Sequence, residues 1–220
     1  MLSLIVLGFA GPSFGVSQAA LDQRIQMLTA KFEVMQAKPD KRIPPKLLGQ
    51  ARGIVLLDRT KAGFLFAYEG GSGIAMARDS RAGNWSAPVF VSANQASIGF
   101  QAGGKQTFMV VLLMDTNAVQ SLASNSFNFG GEASGTAGNT TVGTGDTFSS
   151  NPPSVLVYTD ASGLFGGAAV KGGNITPDTK ADITYYGEYV SPGQILFEHK
   201  VKTSIAASHL AQILQNDSKP

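Results

Sequence analysis

Residues 63–104 of this 220-residue chain read as a run of short β-strands separated by tight turns. Apolar side chains alternate there with small or polar ones, which is the pattern of strands with one buried face. Two clusters of turn-forming residues, 70–73 and 79–84, interrupt the alternation. The stretch therefore predicts an antiparallel meander. Its alternating apolar residues are Phe64, Phe66, Tyr68, Ile74, Met76, Val89, Val91, Ile98 and Phe100.

The segments around this meander alternate between strand-like and helical patterns. The apolar run of residues 53–58 indicates a strand buried on both faces, and residues 105–115 form the most hydrophobic strand, expected near the centre of the sheet. Helical spacing predicts long helices over residues 20–38 and 204–215. We therefore predict an α+β fold: a curved antiparallel sheet, open or barrel-like, with N-terminal and C-terminal helices. Further strands are predicted at 154–159 and 163–172, and short helices at 46–51, at 116–124 with Thr116 as N-cap, and at 176–186 with Pro177 in the first turn.

Residues 1–19 resemble a secretory signal peptide that precedes a single domain over residues 20–220. Small residues, Ser17 and Ala19, occupy the −3 and −1 positions of a cleavage site after Ala19. No Lys or Arg precedes the apolar run, so a short buried helix or an uncleaved anchor is the alternative. The chain has no cysteine, which is compatible with export and excludes disulfides, thiolate metal sites and thiol nucleophiles. We expect an exported protein of the periplasm or cell envelope.

Positive charge is concentrated near the N-terminus. Residues 20–61 contain nine Lys or Arg and four Asp or Glu, although the net charge of the whole chain is only +2. Such a small net charge does not indicate a nucleic-acid partner, and we expect none. The local excess favours an anionic partner, and a solvated helix face beside the sheet is the alternative.

The predicted helix over residues 20–38 has an apolar stripe that needs a partner. Packing on the sheet of the same molecule is the default interpretation. Insertion into a membrane interface is the alternative, because basic residues occupy the opposite face of the helix. The stripe consists of Leu21, Ile25, Leu28, Phe32 and Met35, and the opposite face holds Arg24, Lys31 and Lys38.

No group of residues in the sequence indicates a catalytic or metal site. Residues 99–105 match the first seven positions of a phosphate-binding P-loop, but Gln106 replaces the Ser or Thr that would hold magnesium, and a strand pattern follows. His199 and His209 are expected on the surface, the carboxylates in caps and turns, and Trp85 as a packing anchor. We predict no enzyme activity, no cofactor and no metal. A hydrolase would require two convergent carboxylates in a polar pocket.

An ordered set of short motifs resembles the SYLF domain family, whose lipid-binding domains also occur in eukaryotic actin-patch and endocytic proteins. Each motif is weak alone, but the ordered set, from about residue 43 to 214, is specific. The resemblance implies membrane lipid binding, with phosphoinositides as the familiar eukaryotic ligands, through an amphipathic N-terminal segment and nearby basic residues. The signal-peptide-like residues 1–19 favour an exported bacterial member of this family that binds anionic phospholipids. The motifs are ARGI at 51–54, AGF at 62–64, GSG at 71–73, NWSAP at 84–88, GFQAG at 99–103, GLFGG at 163–167 and YYG at 185–187.

The sequence therefore predicts a non-enzymatic protein that binds anionic membrane lipids. The alternative is an envelope structural or assembly protein that contacts other proteins through the sheet or through the Gly-rich residues 127–145. The residues predicted to meet lipid headgroups are Arg24, Lys31, Lys38, Lys41, Arg42, Lys46 and Arg52. The candidates for membrane insertion are Leu21, Ile25, Leu28 and Phe32.

Overall fold

The computed structural model of the chain describes seven stretches, which include most of the predicted elements. The P-loop-like residues 99–105 lie outside these stretches, as do residues 1–15 and most of the Gly-rich residues 127–145. The described residues are 16–62, 68–94, 107–124, 127–129, 154–160, 163–165 and 173–219.

Helices and strands lie close to their predicted positions in the described stretches. One short helix, α5, and two strands, β5 and β8, have no counterpart among the elements predicted from the sequence. The helices are α1 (Gln18–Gln36), α2 (Pro45–Gln50), α3 (Thr116–Ala123), α4 (Thr179–Tyr186), α5 (Pro192–Leu196) and α6 (Ile205–Asp217). The strands are β1 (Gly53–Ala62), β2 (Tyr68–Ala77), β3 (Val89–Asn94), β4 (Thr107–Leu113), β5 (Phe127–Phe129), β6 (Val155–Thr159), β7 (Gly163–Phe165) and β8 (Gly173–Pro177).

The eight strands form one sheet in the order β5-β8-β3-β2-β1-β4-β6-β7. Neighbouring strands run antiparallel throughout. The strands β5 and β7 form the two edges, so the described sheet is open and not closed into a barrel. The predicted α+β class, with an antiparallel sheet and helices at both ends of the chain, is confirmed. Of the predicted meander at residues 63–104, residues 68–77 and 89–94 form the antiparallel neighbours β2 and β3, and residues 63–67 and 95–104 lie outside the described stretches.

The pairing of β1 with β2 requires glycine at position 73. The predicted turn at residues 70–73 is wrong, because these residues lie within β2 and pair with β1. A Cβ atom on Gly73 would lie 2.0 Å from the carbonyl oxygen of Leu56 and 2.9 Å from the Cδ2 atom of Leu57. The glycine therefore permits a close approach of two strands and does not serve a turn. The second predicted turn, at residues 79–84, is confirmed, and Gly83 has the positive φ of 72° that favours glycine there.

Helices cover both faces of the sheet. Alternate residues of β1 belong to different buried clusters: Ile54 and Leu56 to one, Val55 and Leu57 to the other. The first cluster includes residues of α1, α2, α4 and α6, and the second includes residues of α3 and α5. The predicted burial of residues 53–58 on both faces is therefore confirmed, and the sheet is the middle layer of three.

Side-chain caps set where the helices begin. Asp115 accepts a hydrogen bond from the backbone nitrogen of Ala118 at 2.8 Å, so Asp115 caps α3 and the predicted cap, Thr116, is its first helical residue. Asp178 caps α4 in the same way, and the predicted place of Pro177 in the first turn of this helix is wrong. Pro177 instead ends β8, where a residue without a backbone N–H is tolerated.

Candidate functional site

The apolar stripe of α1 lies in the protein core. Leu21, Ile25, Leu28 and Phe32 are each 0% exposed, and α1 contacts α4, α6, β1 and β2. These four candidates for membrane insertion are therefore unavailable in this conformation, since they would have to leave the core first. In this structure the stripe packs on the sheet of the same molecule, as the default interpretation of the sequence had it. Among the helices in the described ranges, none is both long enough and apolar enough to cross a membrane.

A second face of α1 is exposed and partly apolar. Met27, Lys31 and Val34 follow the i, i+4, i+7 spacing that places residues on one side of a helix, and Lys38 follows just beyond its end. Met27 is 45% exposed and Val34 is 58% exposed. These residues border a groove of about 370 Å³, which we call the α1 groove. It is lined by Met27, Ala30, Lys31, Val34, Met35, Lys38, Phe108 and Asp160.

Three of the predicted headgroup-binding cations are engaged by the protein itself. The Nζ atom of Lys31 lies 2.5 Å from the Oδ2 atom of Asp58, a buried carboxylate on β1. The guanidinium of Arg24 lies over the ring of Phe90, at 5.9 Å from its centroid. Lys41 pairs with its neighbour Asp40 at 3.3 Å. Binding of these cations to a ligand would therefore compete with internal contacts.

The other four predicted cations, Lys38, Arg42, Lys46 and Arg52, are exposed. Within the described stretches, no carboxylate lies at ion-pair distance from any of them. We call these four residues the basic segment. They follow one another between the end of α1 and the start of β1, so a single stretch of chain presents all four charges to solvent.

A cavity of about 210 Å³ lies where β1 begins and β2 ends. Arg78, which directly follows β2, places its guanidinium 4.5 Å from the ring centroid of Trp85 and donates from Nη1 to the carbonyl of Gly49 at 2.6 Å. Its Nε and Nη2 atoms are shielded from solvent and have no hydrogen-bond partner among the described residues. Burial, and then the charge of Arg52, lower the pKa of Arg78. We call this cavity the arginine cavity; it is lined by Arg52, Arg78, Asp79, Ser80, Thr116, Val119, Leu196, Phe197 and His199.

Asp79 is the carboxylate of the arginine cavity. Its Oδ1 atom accepts hydrogen bonds from the backbone nitrogens of Ala82 and Arg81, each at 2.7 Å, and these bonds hold its pKa below the usual range. Its Oδ2 atom lies 3.5 Å from the Nε2 atom of His199, whose side chain is about half exposed. Asp79 therefore stabilises the turn at residues 79–84, which is the role predicted for the scattered carboxylates.

Neither the α1 groove nor the arginine cavity brings together the described groups of a metal site or of a hydrolase. It contains no group of three His, Asp or Glu side chains that could hold a metal ion. The α1 groove and the arginine cavity contain one carboxylate each, Asp160 and Asp79. Asp160 accepts a hydrogen bond from the backbone nitrogen of Phe108 at 3.2 Å, so it too has a structural partner. Neither cavity contains the carboxylate pair that a hydrolase would need.

Several family-like motifs form part of the framework of the fold. The hydroxyl of Tyr185 donates to the Oδ1 atom of Asp22 at 2.6 Å and lies 2.6 Å from the Oγ atom of Ser204, so it joins α1, α4 and the start of α6. The hydroxyl of Tyr186 donates to the carbonyl of Pro88 at 2.5 Å. Trp85 is 7% exposed, which confirms its predicted role as a packing anchor.

Sequence reasoning missed Arg78 because its proximity to Arg52 depends on how the ends of two strands meet. The backbone nitrogen of Arg78 donates to the carbonyl of Arg52 at 2.8 Å. A usable signal was present in the hairpin: Arg78 and Trp85 flank the predicted turn at 79–84, and they form a β-bridge across it. An arginine placed opposite a tryptophan in this way is positioned to stack on its ring.

Sequence reasoning also missed Asp182, a carboxyl group buried on α4. It is 1% exposed, and its Oδ1 atom accepts a hydrogen bond from the backbone nitrogen of Phe90 at 2.9 Å, whereas Oδ2 has no partner among the described residues. Burial raises the pKa of Asp182 to about 7, and the nearby Asp178 contributes to the increase. The sequence gives no warning, because an aspartate near a helix N-terminus is ordinarily exposed.

We expect Asp182→Asn to remove a pH-dependent component of stability. The folded pKa of about 7 lies above the ordinary value of 3.8, so the folded state holds a proton that the unfolded state releases. This contribution is full below about pH 4, decreases by up to about 1.4 kcal/mol per pH unit as the pH rises, and is lost above about pH 7. Urea denaturation at about pH 5 and pH 7.5 measures it. Glu33→Gln, on the exposed face of α1, is the control; equal pH dependence in wild type and Asp182→Asn would contradict the assignment.

Comparison with known proteins identifies relatives over most of the chain. Residues 94–217 match the family model described as Ysc84, Las17-binding protein actin regulator. Protein YSC84 of Saccharomyces cerevisiae is 32% identical over 181 residues, which cover 80% of this chain and 38% of YSC84. LAS seventeen-binding protein 3 of the same species is 30% identical over 181 residues, which cover 80% and 39%. SH3 domain-containing YSC84-like protein 1 of Xenopus laevis is 32% identical over 154 residues, which cover 68% and 45%.

The chain spans about two fifths of the length of these relatives. The second name describes a binding protein and the third an SH3-domain-containing protein, and none of the three names describes an enzyme. The similarity therefore concerns one region of larger proteins.

Proposed function

Since the chain belongs to the Ysc84 family, whose SYLF motifs its sequence carries, we propose that it is a non-enzymatic protein that binds anionic membrane lipids. The family description and the names of the relatives support a binding or regulatory role in general. Lipid as the ligand is the more specific part of the proposal, and the basic segment is the observation that carries it.

The charge of the basic segment is available to a ligand. Residues 38–52 contain five Lys or Arg and one Asp, and the four cations of the basic segment are exposed. A Lys or Arg near an anionic membrane surface contributes about 1 kcal/mol to binding. Four such contacts are enough for reversible attachment, and they weaken as salt screens the charges.

The proposed mode of binding is peripheral, with α1 remaining docked on the sheet. The exposed side chains of Met27 and Val34 supply apolar contact with the membrane interface, in place of the buried stripe. Lys38 belongs to both the α1 groove and the basic segment, so charge and apolar surface meet there. Lys31 contributes less than its charge suggests, because a headgroup has to compete with Asp58 for it.

The triple variant K38Q/R42Q/K46Q is expected to bind anionic vesicles roughly 100-fold more weakly than the wild type at low salt, since three contacts of about 1 kcal/mol are lost. Arg52 is left unchanged because it also lines the arginine cavity. Co-sedimentation with phosphatidylcholine vesicles, with and without phosphatidylglycerol, at low and high salt measures the effect.

A matched control removes three exposed charges from the C-terminal part of the chain. The variant K180Q/K202Q/K219Q makes the same change in net charge outside the basic segment. It is expected to keep most of the binding. The proposal is wrong if wild-type binding is indifferent to lipid charge and to salt, or if both triple variants lose binding equally.

A second candidate function is contact with a protein partner. The name of LAS seventeen-binding protein 3, and the Las17-binding description of the family, favour it. The chain would then act as a structural or assembly protein of the envelope. Charge reversal at Lys41, Arg42 and Lys46 separates the two functions. The protein-partner function is supported if the charge-reversed variant still captures a specific protein. Vesicle binding should then be absent in both the wild type and the variant.

We propose that the protein is exported to the cell envelope. The leader-like residues 1–19 support this location, and the absence of cysteine is compatible with it. The first helix begins at Gln18 with Ser17 as its N-cap, so cleavage after Ala19 would remove the cap and the first two helical residues. The intact mass of the protein purified from its native membranes tests the cleavage, and a chain that still begins at Met1 would contradict it.

A further inference from the structure

The arginine cavity brings together two cations, Arg52 and Arg78, that have no ion-pair partner among the described residues. The backbone hydrogen bond between Arg52 and Arg78 holds the two residues side by side, and Trp85 together with the carbonyl of Gly49 fixes the guanidinium of Arg78. Within the described stretches, neither arginine forms a salt bridge. Like charges in a partly buried site repel each other, and an anion between them relieves that repulsion.

The carboxylate already present in the cavity does not supply this anion. Both backbone donors to Asp79 come from the turn at residues 79–84, and its second oxygen faces His199. The other polar side chains of the lining, Ser80 and Thr116, are neutral. The cavity therefore has a net positive charge, with donors on several sides.

We propose that the arginine cavity is a binding site for a phosphoryl group. Guanidinium groups form paired, charge-assisted hydrogen bonds with phosphate oxygens. Arg52 is the exposed donor, and Arg78, held against Trp85, is the fixed charge beside it. The hydroxyls of Ser80 and Thr116 and the imidazole of His199 complete a polar rim around the bound group.

The size of the cavity favours a compact ligand. Its volume of about 210 Å³ lies below the roughly 300–1,000 Å³ of pockets that enclose drug-sized molecules. A phosphomonoester fits this description, either on a small soluble molecule or as the headgroup of a lipid. A terminal phosphoryl group also presents three oxygens, which can meet donors from more than one side. The site shares Arg52 with the basic segment but does not depend on the proposed lipid function, because phosphate can be tested without a membrane.

Isothermal titration of the full chain with inorganic phosphate tests the site. Arg52→Gln is expected to weaken phosphate binding at least about tenfold, since it removes the charge-assisted hydrogen bonds of one guanidinium. Arg81→Gln is the matched control, because Arg81 is an exposed residue of the adjoining turn. This variant is expected to bind phosphate as the wild type does. K38Q/R42Q/K46Q is also expected to keep phosphate binding, which separates this site from the proposed lipid surface. No binding to the wild type, or equal binding to Arg52→Gln, would overturn the proposal.

A second arm of the experiment distinguishes the two sources of the phosphoryl group. Vesicles with phosphatidic acid present a phosphomonoester, and vesicles with phosphatidylglycerol, matched in surface charge, present a diester. A preference of the wild type for phosphatidic acid that Arg52→Gln lacks and Arg81→Gln keeps supports a lipid headgroup in the cavity. Phosphate binding without any such preference supports a soluble phosphomonoester. A preference for phosphatidic acid that Arg52→Gln retains, without phosphate binding, would contradict the site.

Discussion

Phe32→Ala is expected to lower the free energy of unfolding by about 3–5 kcal/mol, the usual cost of truncating a buried aromatic side chain. Phe32 is 0% exposed and belongs to the buried cluster between the sheet and its N-terminal and C-terminal helices. Its removal loses apolar burial and leaves a cavity that the surrounding helices fill only in part. Urea denaturation followed by circular dichroism measures the change in unfolding free energy.

Val34→Ala is the control for this experiment, because Val34 is on the same helix and 58% exposed. Its effect on the free energy of unfolding is expected to stay within about 0.5 kcal/mol. At a temperature where Phe32→Ala remains folded, that variant should still bind anionic vesicles, since the basic segment is untouched. A variant of normal stability that has lost vesicle binding would instead indicate that Phe32 meets the membrane.

Gly73→Ala is expected to lower the free energy of unfolding by about 3 kcal/mol or more, at the upper end of the cost of overpacking a core. The added methyl group would meet the backbone carbonyl of Leu56 at 2.0 Å, and a backbone atom cannot turn aside as a flexible side chain can. Relief requires β1 and β2 to separate, and β1 is an interior strand that also pairs with β4. The unfolding free energy and the yield of soluble protein report the effect.

Gly193→Ala is the matched glycine control. A Cβ atom at Gly193 meets nothing within 4 Å, and the residue is in the short helix α5. The substitution is expected to be neutral or to stabilise by up to about 1 kcal/mol, as alanine favours the helix. If Gly73→Ala were as harmless as Gly193→Ala, β1 and β2 would not pair as closely as they do in this structure.

The parts of the fold that could be predicted are those encoded by local hydrophobic patterns. Burial of the apolar run that begins at Ile54 could be predicted without knowing its neighbours, because a strand without polar positions must be covered on both faces. The stripe that includes Leu28 predicted α1 in the same way. The helix predicted over residues 176–186 ends where expected, because Gly187 follows it with a φ of 79°.

The parts that could not be predicted depend on contacts between distant segments. A glycine cluster is typical of a turn unless the partner strand is known. Only the pairing of Gly73 with Leu57, close to the carbonyl of Leu56, shows why glycine is needed within β2. Whether a charged side chain is free to bind a ligand also depends on distant contacts, so the sequence alone does not show it. Lys31 and Arg24 look like free cations in the sequence, but Asp58 and the ring of Phe90 contact them in the structure. A list of basic residues therefore overstates the charge that is available to a ligand.

The hydrogen bond between Tyr185 and Asp22 has a consequence for the order in which the protein folds. The two residues are separated by 163 positions, and α1 also packs against α6 near the end of the chain. During synthesis, the first helix emerges long before these partners exist, so its apolar stripe remains without its full cover until the last helix has been made. The N-terminal and C-terminal helices must therefore dock together late. A chain whose synthesis stops before α6 would expose the apolar face of α1 to chaperones and proteases.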